Sequence, residues 1–453
     1  MNNDQTITRP SGHIYVCAAT DHVPEAFTPC VLGEHFKLEP KALGTFLRLE
    51  IPARAEDLLV IAGAVAFVDR RVTRHHATCW ERDLHLSVPV RDFEFWSAHD
   101  LQAELSALLE MLTGDTWRLT FRSGRAPLPI DPQGTLALTG TPPIVIPYSN
   151  GLDSFAVARL HAKPGQHVIR VSTGRIGDTE KKTDDPDAAS TRWVSMPISL
   201  SNGGRSLREQ SYRSRGFLFG AVAATAAGLM QGTEIVVPES GQGTFGPALT
   251  VIGHEHPDVR MSPVFTSALG RFVSGVFENT IQFVHPRIWN TKGETLDALR
   301  EAGLSAGWEK TVSCSRGSRR SLGETKARHC GLCANCVLRR QSLLASGLSG
   351  EIYIWPDLAS ARPWNIGNGP VPGKSEVQQA VSAALAMRDF ATLDPSASLV
   401  AREAKAMAAA LGEAEDVAIG GVNNVLRAHR EEWLSLIGTF PAASLFRELG
   451  ALP

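Results

Sequence analysis

Six residues carry the most chemistry per position in this chain: Ser149-Asn150-Gly151-Leu152-Asp153-Ser154. The apolar run Ile144 to Pro147 before them reads as a buried strand, and a helix is expected to begin at Asp153-Ser154. A strand, a tight polar turn and a helix start make an anion cradle. Gly151 lets backbone approach a ligand closely, and the first helical turn leaves amide N–H groups unpaired and pointing outward. Ser149 and Ser154 add hydroxyl donors. Asp153 is the one acid in the loop, and beside a polyphosphate it suits Mg²⁺ better than phosphate itself. An ordinary capped corner uses the same residue types, so the loop alone leaves both readings open. The G-x-x-x-x-G-K-[ST] pattern is missing, which excludes the P-loop of kinases and GTPases.

A second constellation is Cys314, Cys330, Cys333 and Cys336, in the pattern C-x15-C-x2-C-x2-C. Two overlapping C-x2-C steps bring three thiolates to one point, and a fourth closes a tetrahedron that suits Zn²⁺. Four protein ligands leave no open position, so such a site is structural. Free or redox-active thiols and an iron–sulfur cluster are the competing readings, since the spacing alone excludes neither.

The run from Ser149 to Ser154 resembles the PP-loop of ATP pyrophosphatases, S-G-G-x-D-S, with Asn150 in place of the first Gly. Asn is the ordinary residue that best tolerates a left-handed backbone. A PP-loop followed by this cysteine pattern and Arg339-Arg340 resembles the 7-cyano-7-deazaguanine synthase family (QueC) over residues 143 to 345. Three intermediate signatures fall in the family's order. Arg213-Ser214-Arg215-Gly216-Phe217 stands at its G-R-N helix start, His256-Pro257-Asp258-Val259-Arg260 at its Y-P-D-C-R segment, and Asn290-Thr291-Lys292-Gly293-Glu294 at its T-K-x-E turn.

The resemblance implies an α/β fold of the adenine nucleotide alpha hydrolase-like (PP-loop) type, a parallel sheet with a structural zinc site. It implies ATP, Mg²⁺ and Zn²⁺ as cofactors and a deazapurine carboxylic acid as substrate. It also assigns roles. Ser149, Asn150, Gly151, Leu152, Asp153 and Ser154 would bind pyrophosphate and Mg²⁺, with Arg213, Arg215 and Lys292 as phosphate contacts. Glu239, Asp258 and Arg260 would contact the substrate. Cys314, Cys330, Cys333 and Cys336 would hold zinc. The implied reaction is adenylation of the carboxylate and displacement of AMP by an amine. Nitrile-forming members use ammonia; QueC-like components of anti-phage systems (QatC and its relatives) are implied to use the N-terminal amine of a partner protein from the same operon. The added leading and trailing segments favour the second branch. Two stretches depart from the family: the basic Cys314–Cys330 gap, with Arg316, Arg319, Arg320, Lys326 and Arg328, and Ser172 to Gly177 after the second strand.

The whole chain sets bounds. With 453 residues, two or three domains are expected. The boundaries fall at 1–138 for a leading α+β domain, 139–350 for the PP-loop domain and 351–453 for a helical tail, with the Pro/Gly/Thr-rich stretch from Gly124 to Pro143 as linker. A net charge of −2 implies no broad basic surface and counts against nucleic acid as the main partner. Seven cysteines, four in one cluster, fit a reducing compartment; Cys17, Cys30 and Cys79 read as buried thiols. The N-terminus has no apolar core of a signal peptide, and the run Gly216 to Met230 is too short to cross a bilayer, so a cytoplasmic protein is expected.

Periodicity supplies the rest. In the leading segment, strands are expected at His13–Ala18, Phe46–Ile51, Leu84–Val90 and Trp117–Arg122, with helices at Glu56–Val68 and Leu101–Leu112. In the core, strands are expected at Ile144–Pro147, Val168–Thr173, Met196–Leu200 and Glu234–Pro238. Ligands bind beyond the carboxyl ends of such strands, which makes Glu239-Ser240-Gly241-Gln242-Gly243 a further candidate loop. Helices are expected at Glu376–Phe390, Ala401–Leu411 and Val422–Ile437, packed on the core.

Overall fold

The computed structural model describes residues 9–39, 51–128, 142–162, 166–174, 191–196, 198–202, 207–251, 253–315, 329–359 and 371–452. Its contacts divide the chain into two units interleaved along the sequence. One holds residues 1–149, 163–237 and 251–284; the other holds 150–162, 238–250 and 285–453. The expected strand at Phe46–Ile51, the centre of the linker and the basic residues 316–328 fall almost wholly outside the described residues.

The first unit carries two parallel sheets. Strands β1 (Ser11–Cys17), β2 (Thr28–Val31), β3 (Phe36–Leu38), β4 (Asp83–Val90) and β5 (Thr116–Ser123) come from the leading segment. Four of them pair in the order β2-β1-β4-β5, every pair parallel. The leading segment is thus α/β in character, a correction to the expected α+β. On β5, Trp117, Leu119 and Phe121 are buried and alternate with exposed Thr116, Arg118 and Thr120, as period-2 patterning requires. The helix Ala53–Arg71 is buried on almost every side from Ala55 to Asp69, which follows from its apolar residues lying all around the axis. It packs on the Ala-rich helix Arg215–Leu229.

Its end is fixed by a charge cluster that periodicity could not reveal. Asp69, Arg74, Arg82 and Asp115 have fully buried side chains. Arg82 Nη2 bridges Asp69 Oδ1 at 2.6 Å and Asp115 Oδ2 at 2.7 Å, and Arg74 Nη1 reaches Asp115 Oδ1 at 2.6 Å. Two acids against two guanidiniums leave no uncompensated charge, the condition for ions to be buried at all.

The second sheet contains β6 (Ile144–Pro147), β7 (Val168–Ser172), β8 (Thr191–Ser195), β10 (Glu234–Val236) and β11 (Gln282–Val284), ordered β11-β10-β6-β7-β8 and wholly parallel. The strand order reverses between β6 and β10, where ligand loops of such sheets emerge. The third strand is Thr191–Ser195. The expected Met196–Leu200 instead yields β9 (Ile198–Leu200), antiparallel to β3. Thr191–Ser195 is polar at Thr191, Arg192 and Ser195, so the neighbouring run Met196 to Leu200 carried the stronger apolar signal.

The second unit is helical. Leu152, Phe155 and Ala156 of the helix Leu152–His161 share a core with Leu296 and Leu299 of Lys292–Glu301, together with Trp308 and Leu343. A second core joins Cys330, Cys333 and Cys336 to Trp355, Ala380, Ala383, Trp433 and Phe446. The C-terminal helices Lys374–Ala391, Ser398–Leu411 and Glu415–Gly438 extend the expected ones by a few residues and pack within this unit.

Candidate functional site

The loop after β6 turns at Asn150, whose φ of 57° lies in the left-handed region. Asparagine replaces glycine here at little cost because its side chain tolerates that conformation. Gly151 is extended (φ −81°, ψ 169°) and caps the helix Leu152–His161 without a side-chain bond. Asp153 sits in the first turn, where a helix N-terminus favours negative charge. Ser154 is buried, and its Oγ donates to Gly151 O at 3.0 Å. The loop is held from one side: Val312 N donates to Asn150 O at 2.8 Å, and Leu152 N donates to Ser313 Oγ at 3.4 Å.

Lys292 reaches this turn. Its Nζ lies 2.7 Å from Asp153 Oδ2, and the residue is only 7% exposed. Burial alone would push the ammonium's pKa down, but the charges of Asp153 and Glu239 outweigh it and the value is raised. Lys292 stays charged. Thr291 caps its helix with a full capping box: Glu294 N donates to Thr291 Oγ1 at 3.0 Å, and Thr291 N donates to Glu294 Oε2 at 2.7 Å. Asp153 Oδ1 is buried and has no hydrogen-bond partner among the described residues. A buried carboxylate oxygen left open beside an ammonium has the chemistry of a divalent-cation ligand.

Asp153, Lys292 and Glu239 therefore come together in the second unit. Arg213, Asp258 and Arg260 come together in the first, but engaged with one another. Asp258 Oδ2 takes Arg213 Nη1 at 2.8 Å, Arg260 Nε donates to Asp258 Oδ1 at 3.0 Å, and Arg213 Nη2 donates to Glu255 Oε2 at 2.9 Å. Burial raises the Asp258 pKa, yet Arg260 and Arg213 outweigh it and hold the carboxyl ionised. Arg215 is exposed at the start of its helix, with its guanidinium 5.3 Å from the Phe219 ring centre. The Glu239 side chain turns back over its own helix start, accepting from Ser240 N at 3.2 Å.

A buried relay that the sequence reading missed fixes residues 311–313, which hold the loop. Arg339 Nη1 donates to Thr311 Oγ1 at 2.9 Å and Ser313 Oγ at 3.2 Å, while its Nε donates to Glu351 Oε2 at 2.7 Å. His329 Nε2 accepts from Ser313 N at 3.0 Å, so its Nδ1 carries the proton donated to Glu351 Oε1 at 2.8 Å. Both Arg339 and His329 have fully buried side chains. The available signal was positional: Arg339 follows Cys336 on one helix and His329 precedes Cys330.

The four cysteine sulfurs lie within 4.8 Å of one another. Cys314–Cys333, Cys330–Cys336 and Cys333–Cys336 are separated by 4.0, 3.7 and 3.5 Å. Sulfurs about 2.3 Å from one tetrahedral ion are about 3.8 Å apart, so these positions suit one zinc. An iron–sulfur cubane binds each thiolate to a different iron and spreads them further. Leu332 N and Cys333 N donate to Cys330 Sγ at 3.4 and 3.3 Å. Gly331 makes that turn with φ +88°, and a side chain would meet Trp355 O. Of the three remaining cysteines, Cys17 and Cys30 are buried and Cys79 is partly exposed.

Residues 250–347 match the family model of queuosine biosynthesis protein QueC, so this stretch of the chain is QueC-like. QueC enzymes use ATP and act on deazapurines. The matched stretch includes Asp258, Arg260, Lys292, Arg339 and all four clustered cysteines; the loop at 149–154 lies before it. None of the curated proteins matches the chain. Among the described residues no helix is long and apolar enough to cross a membrane.

Proposed function

We propose that this protein is an ATP-dependent ligase that adenylates a deazapurine carboxylic acid, 7-carboxy-7-deazaguanine, and transfers the acyl group to the N-terminal amine of a partner protein. The observation that carries this reading is the Asp153–Lys292 pair at the loop after β6, with one carboxylate oxygen left unpaired. A carboxylate is a poor electrophile because oxide would have to leave. Its oxygen attacks the α-phosphorus of ATP, the bond to the β-phosphate breaks, and pyrophosphate departs. The amides of the Leu152–His161 helix start, Ser149 and the Lys292 ammonium stabilise the charge that gathers on pyrophosphate. Asp153 would hold a Mg²⁺, which supplies further neutralisation there. The amine then attacks the acyl carbon, AMP leaves, and the nitrogen gives up its proton to solvent. Asp258 and Arg260 are the proposed contacts to the deazapurine, Arg213 remains a proposed phosphate contact, and the leading and C-terminal segments serve partner docking in an anti-phage setting.

The test uses ATP, Mg²⁺, 7-carboxy-7-deazaguanine and a peptide with a free N-terminal glycine. A mass increase of the peptide, absent when its N-terminus is acetylated, is the expected result. Free nitrile with no peptide adduct would overturn the transfer step in favour of ammonia as acceptor.

A further inference from the structure

The C-terminal helix Glu415–Gly438 lies outside the QueC-like stretch, yet one of its side chains reaches the backbone that presents Lys292. Lys292 is the first residue of its helix, so its own N–H has no partner within the helix. Gln242 Oε1 accepts that N–H at 2.8 Å. The Gln242 amide nitrogen donates in turn to Glu432 Oε2 at 3.0 Å, and Gln341 donates to the same oxygen at 3.1 Å. Glu432 Oε1 bonds the hydroxyl of Thr291, the capping residue just before Lys292. A side chain at Gly293 would collide with the Glu432 carboxylate, so the approach on that side is close as well. The carboxylate therefore bonds Thr291 directly, Lys292 through Gln242, and lies close against Gly293.

Glu432 has no ion-pair partner among the described residues, and it is half-buried. An acid held away from most of the solvent without a cation is a poor stabiliser of a helix contact. Its geometry fits another purpose. We infer that Glu432 is a positioning residue for Lys292, which makes the C-terminal helix part of the pyrophosphate-forming site. Glu432 acts through Gln242 and Thr291, which set where the Lys292 stem begins. This rests on the adenylation reading above. A displaced stem lengthens the 2.7 Å Lys292–Asp153 contact and moves the ammonium off the leaving group.

The experiment is a double-mutant cycle on acid-dependent pyrophosphate release by the full chain, with kcat and the KM for ATP measured separately. Lys292→Ala is expected to lower kcat about hundredfold. Glu432→Ala is expected to lower kcat about tenfold or more at a temperature where the variant is fully folded, and Glu432→Gln, which keeps shape and hydrogen bonding, to recover most of it. In the Lys292→Ala background, Glu432→Ala should cost nothing more, because the group it positions is gone. Should Glu432→Ala not fold, Gln242→Met replaces it in the same cycle. A wild-type rate in Glu432→Ala, or losses that multiply in the double variant, would overturn the inference while leaving adenylation standing. A wild-type chain that releases no pyrophosphate would overturn both.

Discussion

Lys292 Nζ stands 2.7 Å from one oxygen of Asp153, while the other oxygen of the same carboxylate is buried and unpaired among the described residues. The arrangement sets an ammonium and an open acceptor side by side at a helix N-terminus. A purely structural salt bridge gains most by satisfying every lone pair it buries; this one leaves a position open. The position suits a cation beside a polyphosphate.

Arg339 is the residue on which that loop's anchor depends. It joins Glu351 to Thr311 and Ser313, and residues 312 and 313 hold Asn150 and Leu152. Arg339→Ala would leave Glu351 buried without its cation, which costs about 3–5 kcal/mol. Glu351→Ala should cost a similar amount, and the double variant less than the sum, because neither charge is then left alone. Chemical denaturation checks this. Additive losses would mean the two residues do not share one network.

The cysteine cluster predicts one zinc per chain. Purified protein should contain one equivalent by elemental analysis, and Cys333→Ser should bind it much more weakly. Removing the ion with a strong chelator should lower the unfolding midpoint, since binding free energy is available only to the folded site. Protein that carries iron, or none of either metal, with unchanged stability would contradict a structural zinc site.

Much of the site was legible in the sequence because its signals are local. The strand before Ser149, the helix after it, the left-handed position at Asn150 and the cysteine spacing each occupy a short window. What stayed hidden is non-local. Glu432 lies 190 positions from Gln242, and His329 meets Glu351 across 22. No periodicity links such pairs. The Thr191–Ser195 strand was missed for a different reason: Thr191, Arg192 and Ser195 are polar, and the more apolar neighbour that contains Ile198–Leu200 pairs elsewhere. The roles expected of Asp258 and Arg260 came from matched positions, and position alone could not show that they bind each other.

Acid stability should change in a direction that two neighbouring groups set. Burial raises the Glu432 pKa to about 7, so the folded chain holds this proton more tightly than the unfolded chain does. Its contribution is greatest at low pH and is lost as pH rises to about 7. His429 is pushed down to about 4 by burial, so the unfolded chain takes up its proton first and stability falls as pH drops toward 4. The two oppose each other between the unfolded carboxylate and imidazole ranges. Glu432→Gln removes one side only. Its unfolding midpoint should fall more steeply than the wild type's as pH is lowered from 7, and parallel curves would show that Glu432 does not titrate in this way.

The central claim is that the turn at Asn150 and the Asp153–Lys292 pair handle the pyrophosphate of ATP. The most direct measurement is pyrophosphate release by wild-type and Asp153→Asn protein, each with and without 7-carboxy-7-deazaguanine. The account predicts release by the wild type only when the acid is present, and a loss of about hundredfold or more in Asp153→Asn. Equal rates in the two proteins, or release that ignores the acid, would contradict it.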